Sequence, residues 1–146
     1  MITFETFGTP GWEEMVRLRH QVLRAPLGLE FSQDQLAAEV NQLHLALWLD
    51  DTLAGTLLLL RPDPTGTGKL RQMAVRPGLE RRGFGSRLVG RGEAELQRLG
   101  AVRAGLSART TAIPFYERLG YVAYGEPFIE VTVPHRSMRR RLDDPA

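Results

Sequence analysis

The chain has 146 residues, of which 42% are apolar and 25% charged, with a formal net charge of +2. Those values describe one globular domain large enough to bury a core, without the positive field that would call for a nucleic-acid partner. The absence of cysteine rules out a disulfide scaffold, a thiol nucleophile and a thiolate metal site, and no basic, apolar leader opens the chain, so a cytoplasmic location is expected.

Ile2 and Phe4 alternate with Thr3 and Glu5, a short strand that Gly8-Thr9-Pro10-Gly11 breaks. Thr9 as cap and Pro10 as first helical residue open a helix. Trp12, Met15, Val16, Arg19, Val22 and Leu23 recur along it until Pro26 and Gly28. Ser32 with Gln35 three residues on reads as a capping box for a second, short helix carrying Leu36, Val40 and Leu43. Leucines at 43, 45, 47 and 49 alternate with His44, Ala46 and Trp48, a strand covered on both faces. Asp50-Asp51 turns the chain into a second strand, 53–61. The long apolar stretch 43–60 is therefore two strands and a turn, not a membrane span. A loop over 62–68 leads to a third strand, 69–76.

Pro77-Gly78 ends that strand, and Arg81-Arg82-Gly83-Phe84-Gly85-Ser86 forms a basic, glycine-punctuated turn before a helix over 85–99. Strand, glycine-rich turn and helix together make a phosphate site. The first helical N–H groups lack intrahelical partners, the helix dipole is positive there, and glycines allow close approach. It is not a Rossmann fingerprint, since the third glycine would fall at Leu88, nor a P-loop, since no Gly-Lys-Ser/Thr follows. Gly85, Val89, Gly92, Leu96 and Leu99 form the helix's buried stripe. Gly92 suggests close packing on the sheet, while Gly90 has no evident reason.

Gly100 stops the helix and a strand follows over 101–108. Thr110 or Thr111 is expected to cap a short helix ending at Leu119-Gly120. Strands are expected at 121–124 and 128–133, the latter from alternation of Phe128, Glu130 and Thr132 with Ile129, Val131 and Val133. Pro134-His135 is expected to precede a last strand, 137–142, and 143–146 to form a polar tail. The order βααβββαβαββ predicts an α+β fold: a mixed, mostly antiparallel sheet between helices, a three-layer α/β/α sandwich in one domain, 1–146.

Two motifs stand out. The turn Glu80-Arg81-Arg82-Gly83-Phe84-Gly85 resembles the acetyl-CoA signature of the GNAT superfamily of N-acetyltransferases, Gln/Arg-x-x-Gly-x-Gly/Ala, with Glu80 in place of Gln or Arg. Ala112, Ile113, Phe115, Tyr116, Glu117, Gly120 and Tyr121 resemble its later signature, with Arg109 at the polar position usually held by Asn or Gln. The element order resembles the GNAT fold along nearly the whole chain. This resemblance implies acetyl-CoA as cosubstrate, held by Arg81, Arg82, Gly83, Phe84, Gly85, Ser86 and Arg109. The thioester arm would lie along Met73, Ala74 and Val75, whose backbone N–H groups can stabilise an oxyanion. It implies direct attack by a primary amine in a ternary complex, with Tyr116 as the acid for the departing thiolate. Candidates for the base are His135, Glu130, His44 and Glu39. His135 titrates in the useful range, and His44 reads as a core histidine beside Trp48. Pro134-His135-x-x-Met138 is similar to the end of a subgroup of small bacterial GNAT proteins in which a Pro-His turn abuts the acceptor site. No His/Asp/Glu cluster has metal spacing, so no metal is expected. The alternative is a non-catalytic CoA-binding or regulatory module on the same fold. A nucleic-acid module built on Arg81, Arg82, Arg87, Arg91 and Arg139 to Arg141 fits the modest net charge poorly. The amine acceptor and the oligomeric state, a homodimer being one option, stay open.

Overall fold

A computed structural model describes residues 1–143, so the end of the expected polar tail, 144–146, lies outside the described residues. Its elements are β1 (Ile2–Glu5), α1 (Pro10–Arg19), α2 (Gln33–Ala37), β2 (Leu43–Leu49), β3 (Thr52–Leu60), β4 (Thr67–Val75), α3 (Phe84–Arg98), β5 (Arg103–Arg109), α4 (Ile113–Arg118), β6 (Val122–Glu130) and β7 (Val133–Arg141). This is the predicted order βααβββαβαββ, with the separate strands expected at 121–124 and 128–133 replaced by the single strand β6. The seven strands form one sheet, β1-β2-β3-β4-β5-β7-β6, antiparallel except where β4 and β5 run parallel across the α3 crossover.

Strand alternation sets the layers. Leu45, Leu47, Leu57 and Leu59 point to the side of α3, where Leu88, Val89 and Leu96 meet them. Ala46 and Leu58 point the other way, against Met15 and Leu18 of α1. Thr9 caps α1 by accepting from the Trp12 N–H, with Pro10 in the first turn. The helix then widens into a π turn, His20–Arg24, and a 3₁₀ turn, Ala25–Leu27, before Gly28 at φ +71 ends it. Both hydrogen bonds of the Ser32/Gln35 capping box are present. Arg19, on the apolar stripe of α1, is fully buried and pairs with Glu39 at 2.8 Å.

Three expectations need correction near the C-terminus. Neither Thr110 nor Thr111 caps α4; a 3₁₀ turn, Thr110–Ala112, leads into it without a side-chain cap. The expected strand 128–133 crosses a hairpin. Val131 and Thr132 form its two-residue turn at φ +50 and +65, with Glu130 opposite Val133. Alternation alone does not register that reversal, because both turn residues are β-branched. Pro134 and His135 consequently lie inside β7 rather than ahead of it.

Two irregularities shape the sheet where it matters. The β4–β5 ladder joins only Thr67, Lys69 and their neighbour Gly68 to Arg103, Gly105 and Ala104. Beyond it β4 continues against β3, and β5 against β7, so the strands part and a wedge opens between 70–75 and 106–109. At the same level β4 carries a bulge. The β3–β4 register shifts between Thr56 and Leu58, with Gln72 at φ +55 and its carbonyl accepting from the Thr56 hydroxyl.

Candidate active site

The turn before α3 leaves its amides open. Gly83 is the cap residue at φ +82, with no side-chain cap, and the first helical bond runs from the Arg87 N–H to the Gly83 carbonyl. Among the described residues, the amides of Phe84, Gly85 and Ser86 therefore have no acceptor. Arg81, Arg82, Gly83 and Ser86 are exposed, and Arg81 at φ +64 adds to the curvature of the turn. The Glu80 carboxylate accepts from the Gly78 N–H at 2.9 Å, so it braces the turn upstream. Gly85 is buried. A Cβ there would stand 3.2 Å from Phe115 and 3.3 Å from Met73, so a small residue lets α3, α4 and β4 meet.

Beside this turn the wedge opens into a cavity of about 870 Å³. Met73 of β4, Leu106 and Ala108 of β5, Ala112 of the 3₁₀ turn, and Phe115 and Tyr116 of α4 line it from the α3 side. Leu23, Arg24 and Gln35 line it from the α1–α2 side, so it passes through the sheet. Ala74 is buried and Val75 half-buried on the same unpaired edge of β4.

Tyr116 is 7% exposed and sits edge-on to both Phe115 and Tyr121. Burial pushes its phenol up to about 12, so it is protonated at neutral pH. Tyr121 is anchored instead: its hydroxyl donates to Glu93 at 2.7 Å, and Glu93 also receives Arg140.

His135 lies opposite Arg109 on β7 and stacks on Phe128, buried at 4% exposure. Its Nδ1 is 2.8 Å from the Val133 carbonyl, which makes Nδ1 the protonated nitrogen of the neutral ring. Nε2 then faces the Glu130 carboxylate at 3.6 Å. At that distance the two share no direct hydrogen bond, and each presents an acceptor to the space between them. Arg109 donates to the Leu23 carbonyl at 2.7 Å, tying β5 to the end of the first helix.

The structure thus gathers Met73, Tyr116, Arg109 and His135 around one cavity and keeps Arg81, Arg82, Gly83 and Ser86 exposed beside α3, with Phe84 half-buried and Gly85 buried. It sets two candidate bases apart. Glu39 is bound to Arg19, and the His44 Nε2 contacts the Glu39 carbonyl at 3.0 Å; neither lines the cavity. Arg24, which sequence reading passed over, does line it; its signal was a charged residue in a helical turn beside apolar neighbours. Among the described residues no group of three or more His, Asp or Glu could hold a metal ion, and no helix is long and apolar enough to cross a membrane.

Comparison with known proteins agrees with this geometry. The acetyltransferase (GNAT) family profile matches residues 12–121. YyaT of Bacillus subtilis (strain 168), itself uncharacterised, is 26% identical over 132 residues, which cover 84% of this chain and 88% of that protein. The crystal structure of an acyl-CoA N-acyltransferase from Pseudomonas aeruginosa superposes with a TM-score of 0.78 at 25% identity, covering 96% of this chain and 98% of that one. An aminoglycoside 6'-N-acetyltransferase complexed with coenzyme A has the same fold at 16% identity, with a TM-score of 0.78 over 100% of this chain and 99% of its own. The chain belongs to the acetyltransferase (GNAT) family.

Proposed function

We propose that this GNAT-family chain moves the acetyl group of acetyl-CoA to a primary amine by direct attack. The observation that carries the reading is the wedge between β4 and β5, which opens beside the unpartnered amides of α3 and has Tyr116 in its wall. The pyrophosphate sits on the amides of Phe84, Gly85 and Ser86, with Arg81 and Arg82 beside it. The pantetheine arm extends along the free edge of β4 at Met73, Ala74 and Val75, like an added strand.

An alkylamine of pKa near 10.4 is about 0.04% neutral at pH 7, so it must lose a proton before it attacks. The ammonium supplies the donor that His135 Nε2 and the Glu130 carboxylate lack, and His135 takes the proton. The amine nitrogen then bonds to the thioester carbon, and the carbonyl pair moves to oxygen, where β4 backbone N–H groups receive the charge. Collapse reforms the carbonyl and breaks the C–S bond. The thiolate takes the Tyr116 proton, the second proton on nitrogen restores the Tyr116 phenol, His135 releases its proton to solvent, and the products are the acetamide and CoA thiol. Neither side chain becomes acylated. Arg109, engaged with Leu23, shapes the acceptor side; we do not assign it to the phosphates.

The test is product formation from acetyl-CoA and a panel of amines, with Tyr116→Phe beside the wild type. We expect the variant to lower kcat by about 10²-fold or more while acetyl-CoA still raises the melting temperature equally. Equal turnover would remove Tyr116 from the acid role. Stabilisation by acetyl-CoA without transfer to any amine would leave a CoA-binding module.

A further inference from the structure

The cavity is lopsided in charge. Its lining holds six basic side chains, Arg24, Lys69, Arg71, Arg103, Arg109 and Arg139, against the single carboxylate of Glu130. These cations fall into two groups. Arg24 and Arg109 belong to the Glu130 end: both lie close enough to influence one another, and the Glu130 charge acts on Arg24. The other four share one face of the sheet toward the closed end of the wedge. There Thr67 pairs with Arg103 and Lys69 with Gly105, Gly105 pairs in turn with Arg139, and Arg71 follows Lys69 by the strand period of two.

Among the described residues none of these four forms an ion pair. Arg103 donates to the Thr67 hydroxyl at 3.3 Å, and Arg139 lies over the Tyr124 ring at 4.3 Å. The carboxylates that feel this group are already engaged. Asp63, on which Lys69 acts, accepts from Thr65 and Thr67; Asp143, on which Arg103 acts, is bound by Arg141. Four like charges around one concavity repel each other, and an anion seated among them would relieve that repulsion through charge-assisted hydrogen bonds.

We propose that the acceptor is an anionic amine: a carboxylate or phosphate held by Lys69, Arg71, Arg103 and Arg139, with its amino end at Glu130 and His135. This rests on the acetyltransferase reading of the same cavity. Arg139 and His135 are four residues apart on β7, about 13 Å at roughly 3.3 Å per residue, so the acceptor is compact or is the end of a longer chain. Polycationic amines meet repulsion here.

The experiment compares matched acceptors: 4-aminobutyrate with 4-aminobutanamide, and phosphoethanolamine with ethanolamine. The anionic member of at least one pair should show a kcat/KM about tenfold higher or more, mostly through KM, and the difference should shrink with added salt. Which pair shows it tells carboxylate from phosphate. Arg139→Gln and Arg103→Gln should each reduce that ratio several-fold while keeping the stabilisation by acetyl-CoA, and Arg139→Glu should move preference toward spermidine. Calorimetry of 4-acetamidobutyrate, phosphoethanolamine and their neutral counterparts on the CoA-bound protein reads the same selectivity without catalysis. If no amine is acetylated but an anionic probe binds at least tenfold tighter than its neutral match, the transfer reading fails and the anion site stands. Equal or better use and binding of neutral or cationic probes overturns the site, as does an unchanged ratio in both glutamine variants.

Discussion

His44 is a neutral ring held in a charged neighbourhood. It is 2% exposed, its Nε2–H donates to the Glu39 carbonyl, and its Nδ1 has no partner among the described residues. Burial lowers its pKa below the ordinary 6.5; nearby Arg19 lowers it further, while the Glu39 carbonyl and carboxylate oppose the shift. The unfolded chain therefore binds the proton first as pH falls. Stability is lost below the unfolded value near 6.5 until the folded ring also protonates, with a slope of at most about 1.4 kcal/mol per pH unit. His44→Gln keeps an N–H for the Glu39 carbonyl and cannot titrate. We predict that the fall in Tm between pH 7.5 and pH 5.5 is shallower in this variant; an equal fall would show that His44 is not the sensitive group. That His44 is a core histidine was legible from its place in an alternating strand. Its partner was not, because the contact runs to a backbone carbonyl, which sequence does not distinguish. The Arg19–Glu39 pair was half legible: Arg19 stands on the apolar stripe of its helix, but nothing local names the carboxylate that meets it.

At the scale of the element, α3 holds two interior glycines in different surroundings. A Cβ at Gly92 would stand 2.9 Å from Leu57 and 3.0 Å from Leu59, so the helix lies close on the sheet there. At Gly90 a Cβ would meet nothing within 4 Å. Gly92→Ala should lower stability by about 1–3 kcal/mol through overpacking. Gly90→Ala should raise it by roughly 0.5–1 kcal/mol through helix propensity. Denaturant unfolding of both variants measures this directly, and equal signs would contradict the packing described. The buried role of Gly92 could be read from the helical stripe, and its neighbours could not. The β6–β7 hairpin was misread for a related reason: Val131 and Thr132 carry strand-forming side chains at positive φ, so composition speaks for a strand where the backbone turns.

At the scale of the molecule, the proposed activity depends on where the sheet comes apart. The order of elements, the layers and the two motif segments were legible, since each shows a period or a local turn. The wedge was expected only from the resemblance and from no local pattern, because it is the absence of pairing between two strands that are each well formed against their other neighbour. That the segments carrying the motifs share one site was implied by the resemblance, and Gly85, between Met73 and Phe115, is where they meet. The proposed transfer requires coenzyme binding across that opening. The most direct measurement is a backbone amide NMR titration of the protein with CoA. The largest shifts are expected at Phe84, Gly85 and Ser86 and along Met73 to Val75, with little change in β1. Saturable CoA binding that leaves those amides unmoved, or no binding at millimolar CoA, would contradict it.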